Sequence, residues 1–250
     1  MPISGPAPRP VPARMSDRLI VALDLPTIEE ARDMAARLDG TVNFFKLGLW
    51  LIFAPGFDRF LAELVDGGRR VFLDAKMFDI GETVKQGVKR AAERGVSFVT
   101  VHGDGEIMQA AAEGRGGSAL KVFAITVLTS LDERGLYDLG SSLGVEELIR
   151  RRVRRAVECG CDGIIASPHD NPDAMRAEAG APRLLVATPG VRLAGAASDD
   201  HKRVGTPAQA IAAGADYLVV GRPIVKSADP ARDALAIIAD MKRGLPLAPA

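Results

Sequence analysis

The chain has 250 residues, of which 47% are hydrophobic, and its 32 Lys and Arg side chains balance 32 Asp and Glu side chains. This length fits one large domain or two small ones with a substantial core, and the apolar fraction excludes a disordered chain. The zero net charge argues against nucleic-acid binding, and the absence of a run of about 18 apolar residues predicts no membrane span.

The two ends of the chain differ in composition from the rest. We expect residues 1–16 to form a disordered extension, because they hold five prolines and no acidic residue. They lack the apolar core and cleavage pattern of a secretory signal, and we expect a cytoplasmic protein. Residues 244–250 are expected to form a flexible tail, which leaves residues 17–243 as one domain.

Between these ends, short apolar runs alternate with amphipathic, Ala-rich runs, with Gly, Pro or Asp between them. Most of the apolar runs are continuous, which is typical of strands buried on both faces of a parallel sheet. In chain order, the predicted strands are Leu19–Leu23, Asn43–Leu47, Arg70–Asp74, Phe98–His102, Val122–Val127, Gly163–Ala166, Leu184–Ala187 and Tyr217–Val220. The predicted helices include Thr27–Leu38, Leu51–Val65, Thr83–Arg94, Val145–Glu158 and Pro207–Ala213.

Eight such strand and helix units predict an α/β fold, a single (β/α)8 barrel with a parallel eight-stranded core, whose typical length is about 250 residues. An open, doubly wound sheet is the alternative. Such a sheet usually carries a nucleotide-binding loop, but the sequence has no G-x-G-x-x-G after the first strand and no G-x-x-x-x-G-K-[ST]. The barrel is therefore the favoured fold.

In a (β/α)8 barrel the chemistry lies at the carboxyl ends of the strands. Asp74 and Lys76 end the third predicted strand, and their spacing of two places both side chains on the same side of an extended backbone. A solvated loop with incidental ion pairs is the alternative. Charged residues end the first four strands, which favours an active site: Asp24, Lys46, Asp74, Lys76, Asp79 and His102.

The last two strands add a phosphate signal. Gly221 and Arg222 follow the eighth strand and precede a predicted short helical turn, and Arg192 follows the seventh strand. In many barrels these two loops and a short helix bind phosphate, because glycine lets the anion approach backbone N–H groups and arginine offers a bidentate fork.

Other chemistries fit poorly. Cys159 and Cys161 are one residue apart, too close for a relaxed disulfide, and with His169 they still lack a fourth zinc ligand. We expect two reduced thiols. The run from Ser167 to Asp170 lacks the nucleophile elbow of a serine hydrolase.

The sequence resembles the orotidine 5′-phosphate decarboxylase family in its bacterial form. The resemblance covers nearly the whole chain except the two ends, and the ordered combination of motifs is highly specific. The matching segments are Val21–Pro26, Phe45–Gly48, Asp74–Ile80, Val127–Ser130, Thr188–Arg192, Arg203–Pro207 and Val220–Ile224.

This resemblance implies decarboxylation of orotidine 5′-monophosphate to UMP, with no metal and no organic cofactor. It implies that Lys76 donates a proton to the carbanion at C6, while Asp74 and Lys46 hold it and contact the ribose. Asp79 would come from the other subunit of a homodimer with shared active sites and complete a Lys-Asp-Lys-Asp array. Alternating charges keep the lysines cationic.

The resemblance also implies the residues that bind the substrate. Asp24 would accept a hydrogen bond from the ribose, and Thr129 would contact the pyrimidine. Closure of the loop over residues 193–205 would order the site. His201 stands where the family usually has glutamine, and its charge varies near neutral pH. The remaining binding residues implied are Ile80, Thr83, Arg192, Gly221 and Arg222.

Two alternatives stay open. The first is a sugar-phosphate enzyme on the same scaffold, either hexulose-phosphate synthase or keto-gulonate-phosphate decarboxylase. These enzymes share D-x-K-x-x-D, use a magnesium-stabilised enediolate and usually place glutamate where Lys46 stands. The second is a non-catalytic barrel that binds a phosphorylated ligand, against which the retention of all four charged residues argues.

Overall fold

The strands form a closed parallel barrel in sequence order, with the last strand paired to the first. This computed structural model describes residues 9–103, 105–128, 130–193 and 205–246, so Thr129 and His201 lie outside the described residues. The (β/α)8 barrel predicted from the sequence is confirmed. The strands are β1 (Leu19–Ala22), β2 (Phe44–Leu47), β3 (Arg70–Met77), β4 (Phe98–Val101), β5 (Lys121–Ile125), β6 (Gly163–Ile165), β7 (Leu185–Pro189) and β8 (Tyr217–Val220).

Helices cover the outside of this barrel. The helix over Val145–Glu158 and the strand β8 have the predicted bounds. The prediction of one helix over Leu51–Val65 was wrong, because Pro55 and Gly56 separate two helices there. Proline disfavours helical backbone in the residue before it, and Gly56 has a φ of +86°. The helices are α1 (Ile28–Arg37), α2 (Leu49–Ile52), α3 (Phe57–Asp66), α4 (Gly81–Glu93), α5 (Gly105–Arg115), α6 (Glu133–Asp138), α7 (Val145–Glu158), α8 (Pro172–Glu178), α9 (Pro207–Ala212), α10 (Arg222–Val225) and α11 (Pro230–Arg243).

Large aromatic side chains fill the amino-terminal half of the barrel interior. Phe44, Phe98 and Tyr217 meet edge to face, with ring centroids 4.9 to 6.1 Å apart. The guanidinium of Arg70 lies 4.1 Å from the centre of the Phe44 ring. This layer forms a packed floor beneath the carboxyl ends of the strands.

Residues 9–18 run across the amino end of the barrel. Val11 packs against the interior cluster and Met15 is buried. Both residues come from the stretch for which the sequence predicts disorder, and in the structure both contact the barrel. The domain boundaries at residues 16 and 243 stay predictions.

Neither cysteine forms a disulfide, as the sequence predicts. Burial raises the pKa of Cys161 to about 12, so its thiol stays protonated at neutral pH. In the described parts of the chain, no helix is both long and apolar enough to cross a membrane.

A buried carboxylate at the start of β8 ties several elements together. Asp216 is 1% exposed and accepts a hydrogen bond from the backbone N–H of Val186 at 2.8 Å. The guanidinium of Arg176 donates to it, and the Nε atom of Arg9 lies 3.1 Å away. The carboxylate is therefore paired on three sides although it is removed from water.

Replacing Arg176 with methionine should lower the free energy of unfolding by about 3–5 kcal/mol, because the change leaves a buried charge without its closest cation. Urea denaturation measures this value. Arg243→Met is the matched control: Arg243 is 3.2 Å from Asp240 at the surface, and such exposed pairs contribute about 0–1 kcal/mol. Equal losses in the two variants would contradict the prediction.

Candidate active site

A cavity of about 710 Å³ opens at the carboxyl ends of the strands, which is within the usual size for a small-molecule site. Apolar side chains from the barrel interior form part of its wall, among them Phe72, Ile125, Ile165 and Val219. Its charged lining residues are Asp24, Lys46, Asp74, Lys76, Arg192, Arg222 and Lys226. The sequence predicts all of these except Lys226, which lies just beyond α10.

Four of the charged groups alternate in sign across one wall. The Nζ atom of Lys46 lies 3.0 Å from Asp24 Oδ1 and 3.3 Å from Asp74 Oδ2. The Nζ atom of Lys76 donates to the same Asp74 Oδ2 at 2.8 Å. One carboxylate oxygen thus holds both ammonium groups, and we call the four residues the charged array.

The two central members of the charged array are buried but stay ionised. Lys46 is 8% exposed and Asp74 is 9% exposed. Burial alone would lower the pKa of Lys46, but the charges of Asp74 and Asp24 together raise that pKa above its usual value. Burial alone would raise the pKa of Asp74, but Lys46 and Lys76, with hydrogen bonds from Lys76 and Thr100, hold it below its usual value.

Gly48 makes room for the charged array. A β-carbon at this position would lie 2.8 Å from Asp24 Oδ1 and 3.2 Å from Lys46 Nζ. Any side chain would therefore push the acid and the lysine apart. The sequence analysis includes Gly48 in the Phe45–Gly48 motif, but only the structure shows why a glycine is needed at this position.

The end of β3 is irregular where it carries the chemistry. Leu73 pairs with Val99, and the next pair is Met77 with Val101, so the register shifts between them. Lys76 has a φ of +46°, a left-handed conformation that non-glycine residues rarely adopt. Its ammonium still reaches Asp74. The predicted strand ended at Asp74, whereas β3 continues to Met77 because pairing with β4 resumes after the irregularity.

The part of the cavity that lies beyond the ends of β7 and β8 is basic. Gly221 precedes α10, Arg222 begins it, and both line the cavity together with Arg192. Arg192 is buried, and its Nη1 atom donates to the carbonyl oxygen of Val191 at 3.0 Å. The three residues that the sequence predicts for phosphate binding therefore lie around one cavity. An anion bound there would lie near two guanidinium groups, and it could approach the backbone at Gly221 because this residue has no side chain.

The sequence matches the family described as "Orotidine 5'-phosphate decarboxylase / HUMPS family" over residues 17–237. The chain belongs to this family. Among curated relatives, proteins named orotidine 5'-phosphate decarboxylase are 51% identical over 229 residues in Rhodopseudomonas palustris and 50% identical over 229 residues in Bradyrhizobium diazoefficiens. Both alignments cover 92% of this chain and 95% of the relative.

Solved structures with the same fold are also similar to this chain. The crystal structure of orotidine 5'-phosphate decarboxylase from Lactobacillus acidophilus superimposes with a TM-score of 0.78 at 31% identity, and the match covers 90% of this chain and 99% of that one. An uncharacterized conserved protein from Geobacillus kaustophilus gives a TM-score of 0.76 at 33% identity, covering 89% of this chain and 99% of that one.

Three residues that the family resemblance implies as site residues lie elsewhere in this chain. Asp79, Ile80 and Thr83 are not among the described residues that line the cavity. The Asp79 carboxylate accepts a hydrogen bond from the backbone N–H of Ile80 at 2.7 Å, and Thr83 is exposed on α4. The fourth member of the Lys-Asp-Lys-Asp arrangement is therefore absent from the cavity formed by the described part of one chain.

The residues on either side of Asp79 are apolar and exposed. Phe78 is 68% exposed and Ile80 is 73% exposed. Trp50 and Phe53, on and next to α2, are also exposed, and α2 packs against β3. We call these four side chains the apolar rim. His102 stands beside it, with its ring centre 5.0 Å from that of Phe78.

No metal site is built into the described ranges: no three His, Cys, Asp or Glu side chains there are grouped as metal ligands would be. Asp24 and Asp74, the two carboxylates of the cavity, both contact Lys46 instead.

Proposed function

We propose that this chain decarboxylates orotidine 5′-monophosphate to UMP, the last step of de novo pyrimidine nucleotide synthesis. The observation that carries the proposal is a single cavity in which the charged array, an apolar wall and the guanidinium groups of Arg192 and Arg222 all form part of the lining. The names of the curated relatives at 44–51% identity support the same reaction.

The charge of the cavity complements that of the substrate. Among the described residues of one chain, five cationic side chains and two carboxylates line the cavity, which leaves an excess of three positive charges. Orotidine 5′-monophosphate carries one carboxylate and a phosphate of nearly two negative charges. Asp79 from the second subunit proposed below would reduce this excess to two positive charges, which still attracts the negatively charged substrate into the cavity.

Lys76 is the proposed acid. Breaking the bond between C6 and the carboxylate releases carbon dioxide and leaves an electron pair on C6, which the pyrimidine ring cannot delocalise. The Lys76 ammonium stabilises this charge electrostatically and then gives its proton to C6. Asp74 and Lys46 fix the position of that ammonium, and Asp24 and Lys46 face the ribose hydroxyls.

Phosphate binding is assigned to Arg192, Arg222 and the backbone at Gly221. The phosphate is remote from C6, so its binding energy can be used to order the site around the reacting carbon. Contact of Thr129 with the pyrimidine, contact of His201 with the ligand and closure of residues 193–205 stay predictions, because these residues lie outside the described ranges.

We also propose a homodimer in which Asp79 enters the partner's cavity, accompanied by Ile80 and Thr83. Asp79 lies outside its own chain's cavity although the other charged motif residues line it. Phe78 and Ile80 of the apolar rim flank Asp79 in the sequence, and exposed apolar side chains of this kind mark protein interfaces. Burying the rim against a second copy would carry Asp79 toward that copy's charged array.

The sugar-phosphate enzymes of the same family are the competing assignment. In those enzymes glutamate usually replaces Lys46 and magnesium stabilises the enediolate. Here Lys46 lies between Asp24 and Asp74, where its ammonium opposes a divalent cation at the same carboxylates.

A direct assay tests the proposed function. Incubation of the purified protein with orotidine 5′-monophosphate in excess chelator should give a steady loss of the substrate's ultraviolet absorbance, with UMP as product. An equal amount of the Lys76→Ala variant is the control and should give no loss. Activity that disappears with chelator and returns with magnesium would contradict a metal-free reaction.

A further inference from the structure

Thr100 on β4 lies opposite the irregular end of β3. The regular pairs on either side are Leu73 with Val99 and Met77 with Val101. Three residues of β3, at positions 74–76, therefore stand opposite the single residue Thr100. Extra residues of this kind interrupt the ladder of backbone hydrogen bonds and bend the strand.

The Thr100 hydroxyl takes the place of the interrupted ladder. Its Oγ1 atom accepts a hydrogen bond from the backbone N–H of Lys76 at 3.0 Å and donates one to Asp74 Oδ1 at 2.9 Å. The side chain is fully buried. One hydroxyl thus connects the backbone of one charged residue to the carboxylate of the other.

This connection holds Lys76 in an unfavourable backbone conformation. A non-glycine residue in the left-handed region costs about 1–3 kcal/mol and persists where its surroundings fix it. The hydrogen bond to the Lys76 amide fixes the peptide on the amino side of that residue. The direction in which the Lys76 side chain leaves the strand depends on this φ angle of +46°.

The same hydroxyl orients the Asp74 carboxylate. Asp74 Oδ2 receives the ammonium groups of Lys46 at 3.3 Å and Lys76 at 2.8 Å. Asp74 Oδ1 accepts the hydrogen bond from the Thr100 hydroxyl. This bond prevents the carboxylate from rotating and exchanging its two oxygens. The positions of both ammonium groups therefore depend on one hydroxyl group on the neighbouring strand.

We propose that Thr100 is a positioning residue for proton transfer, acting through Asp74 and the backbone of Lys76. This rests on the proposed decarboxylation, and Thr100 itself is not among the described residues that line the cavity. The valine variant has nearly the same shape but neither hydrogen bond, whereas the serine variant keeps both.

Steady-state kinetics of Thr100→Val and Thr100→Ser test the proposal. We expect Thr100→Val to lower kcat about 100-fold, the effect of misplacing a reacting group by about 1 Å, with KM changed less than about threefold. Thr100→Ser should restore kcat to within about fivefold of the wild type, since its hydroxyl can make both bonds. A merely structural role would lower the unfolding midpoint without this division between kcat and KM.

Thr126→Val is the matched control. Thr126 is also buried, and its hydroxyl donates to the carbonyl oxygen of Ile165 at 2.9 Å. This variant should lose similar stability and keep its kcat. A wild-type kcat in Thr100→Val, or an equal loss of kcat in both valine variants, would overturn the positioning role.

The kinetics of a cysteine variant and crystal structures of the variants provide two further tests. If Thr100→Val does not fold, Thr100→Cys, whose thiol bonds more weakly, should lower kcat by more than the about fivefold allowed for Thr100→Ser but by less than about 100-fold, and a wild-type kcat would overturn the proposal. Crystal structures should show the Asp74 carboxylate rotated or Lys76 displaced in the variant. If the wild type did not decarboxylate, the proposed function would fail, and unchanged Asp74 and Lys76 in those crystals would separately refute the positioning role.

Discussion

Replacing Lys76 with alanine should abolish decarboxylation while nucleotide binding stays measurable. In the proposed mechanism, the change removes both the charge that stabilises the C6 carbanion and the proton that ends the reaction. Electrostatic stabilisation by one group contributes about 10²–10³-fold and general acid catalysis about 10²–10⁴-fold. We therefore expect a loss of at least about 10⁴-fold in kcat.

Binding should survive because the groups assigned to phosphate and ribose are untouched. Isothermal titration with UMP measures it, and stopped assays with excess enzyme measure the residual kcat. Lys85→Ala is the control: Lys85 pairs with Glu113 at 2.9 Å on the outside of the barrel, so turnover should be normal. Near-normal turnover in Lys76→Ala would remove Lys76 from the mechanism.

Mixing two inactive variants, Lys76→Ala and Asp79→Ala, should restore activity if the sites are shared between subunits. After random exchange, half of the dimers are hybrids, and each hybrid has one site with both Lys76 and Asp79 intact. The mixture should therefore reach about a quarter of the wild-type activity, as expected for a two-fold symmetric dimer. Steady-state rates measured after exchange test this figure.

A second mixture is the control. Lys76→Ala with Asp74→Ala should stay inactive, because Lys76 and Asp74 contact each other within one chain and no hybrid site regains both. Subunit exchange is verified by mass spectrometry of differently tagged chains. If exchange is complete and the first mixture stays inactive, Asp79 is not shared.

The order of the strands could be read from the sequence because each is a short apolar run closed by a turn. The ends of the elements cannot be read in the same way. β3 continues to Met77 through an irregularity that no local pattern reveals, and the break at Pro55 divides a stretch whose apolar spacing is otherwise helical. In both places the backbone conformation determines where the element ends, and the periodicity of apolar side chains carries little information about that conformation.

The charged array was predictable in composition but only partly in geometry. Asp24, Lys46, Asp74 and Lys76 end neighbouring strands, so the closed barrel brings them together. Thr100 was missed, because a β-branched residue within an apolar run resembles any strand residue. Its role depends on which residues of β3 lie opposite it. The sequence of either strand alone does not show this register.

The sharing of one Asp74 oxygen by two ammonium groups has a consequence for the end of the catalytic cycle. Before the reaction, the charged array holds two acids and two lysines and is neutral. In the proposed reaction, once Lys76 has given its proton to C6, the same four groups carry one net negative charge. The carboxylate of the next substrate would then enter beside a net negative array. The proposed cycle therefore requires Lys76 to take up a proton before the next substrate reacts, which restores the neutral array.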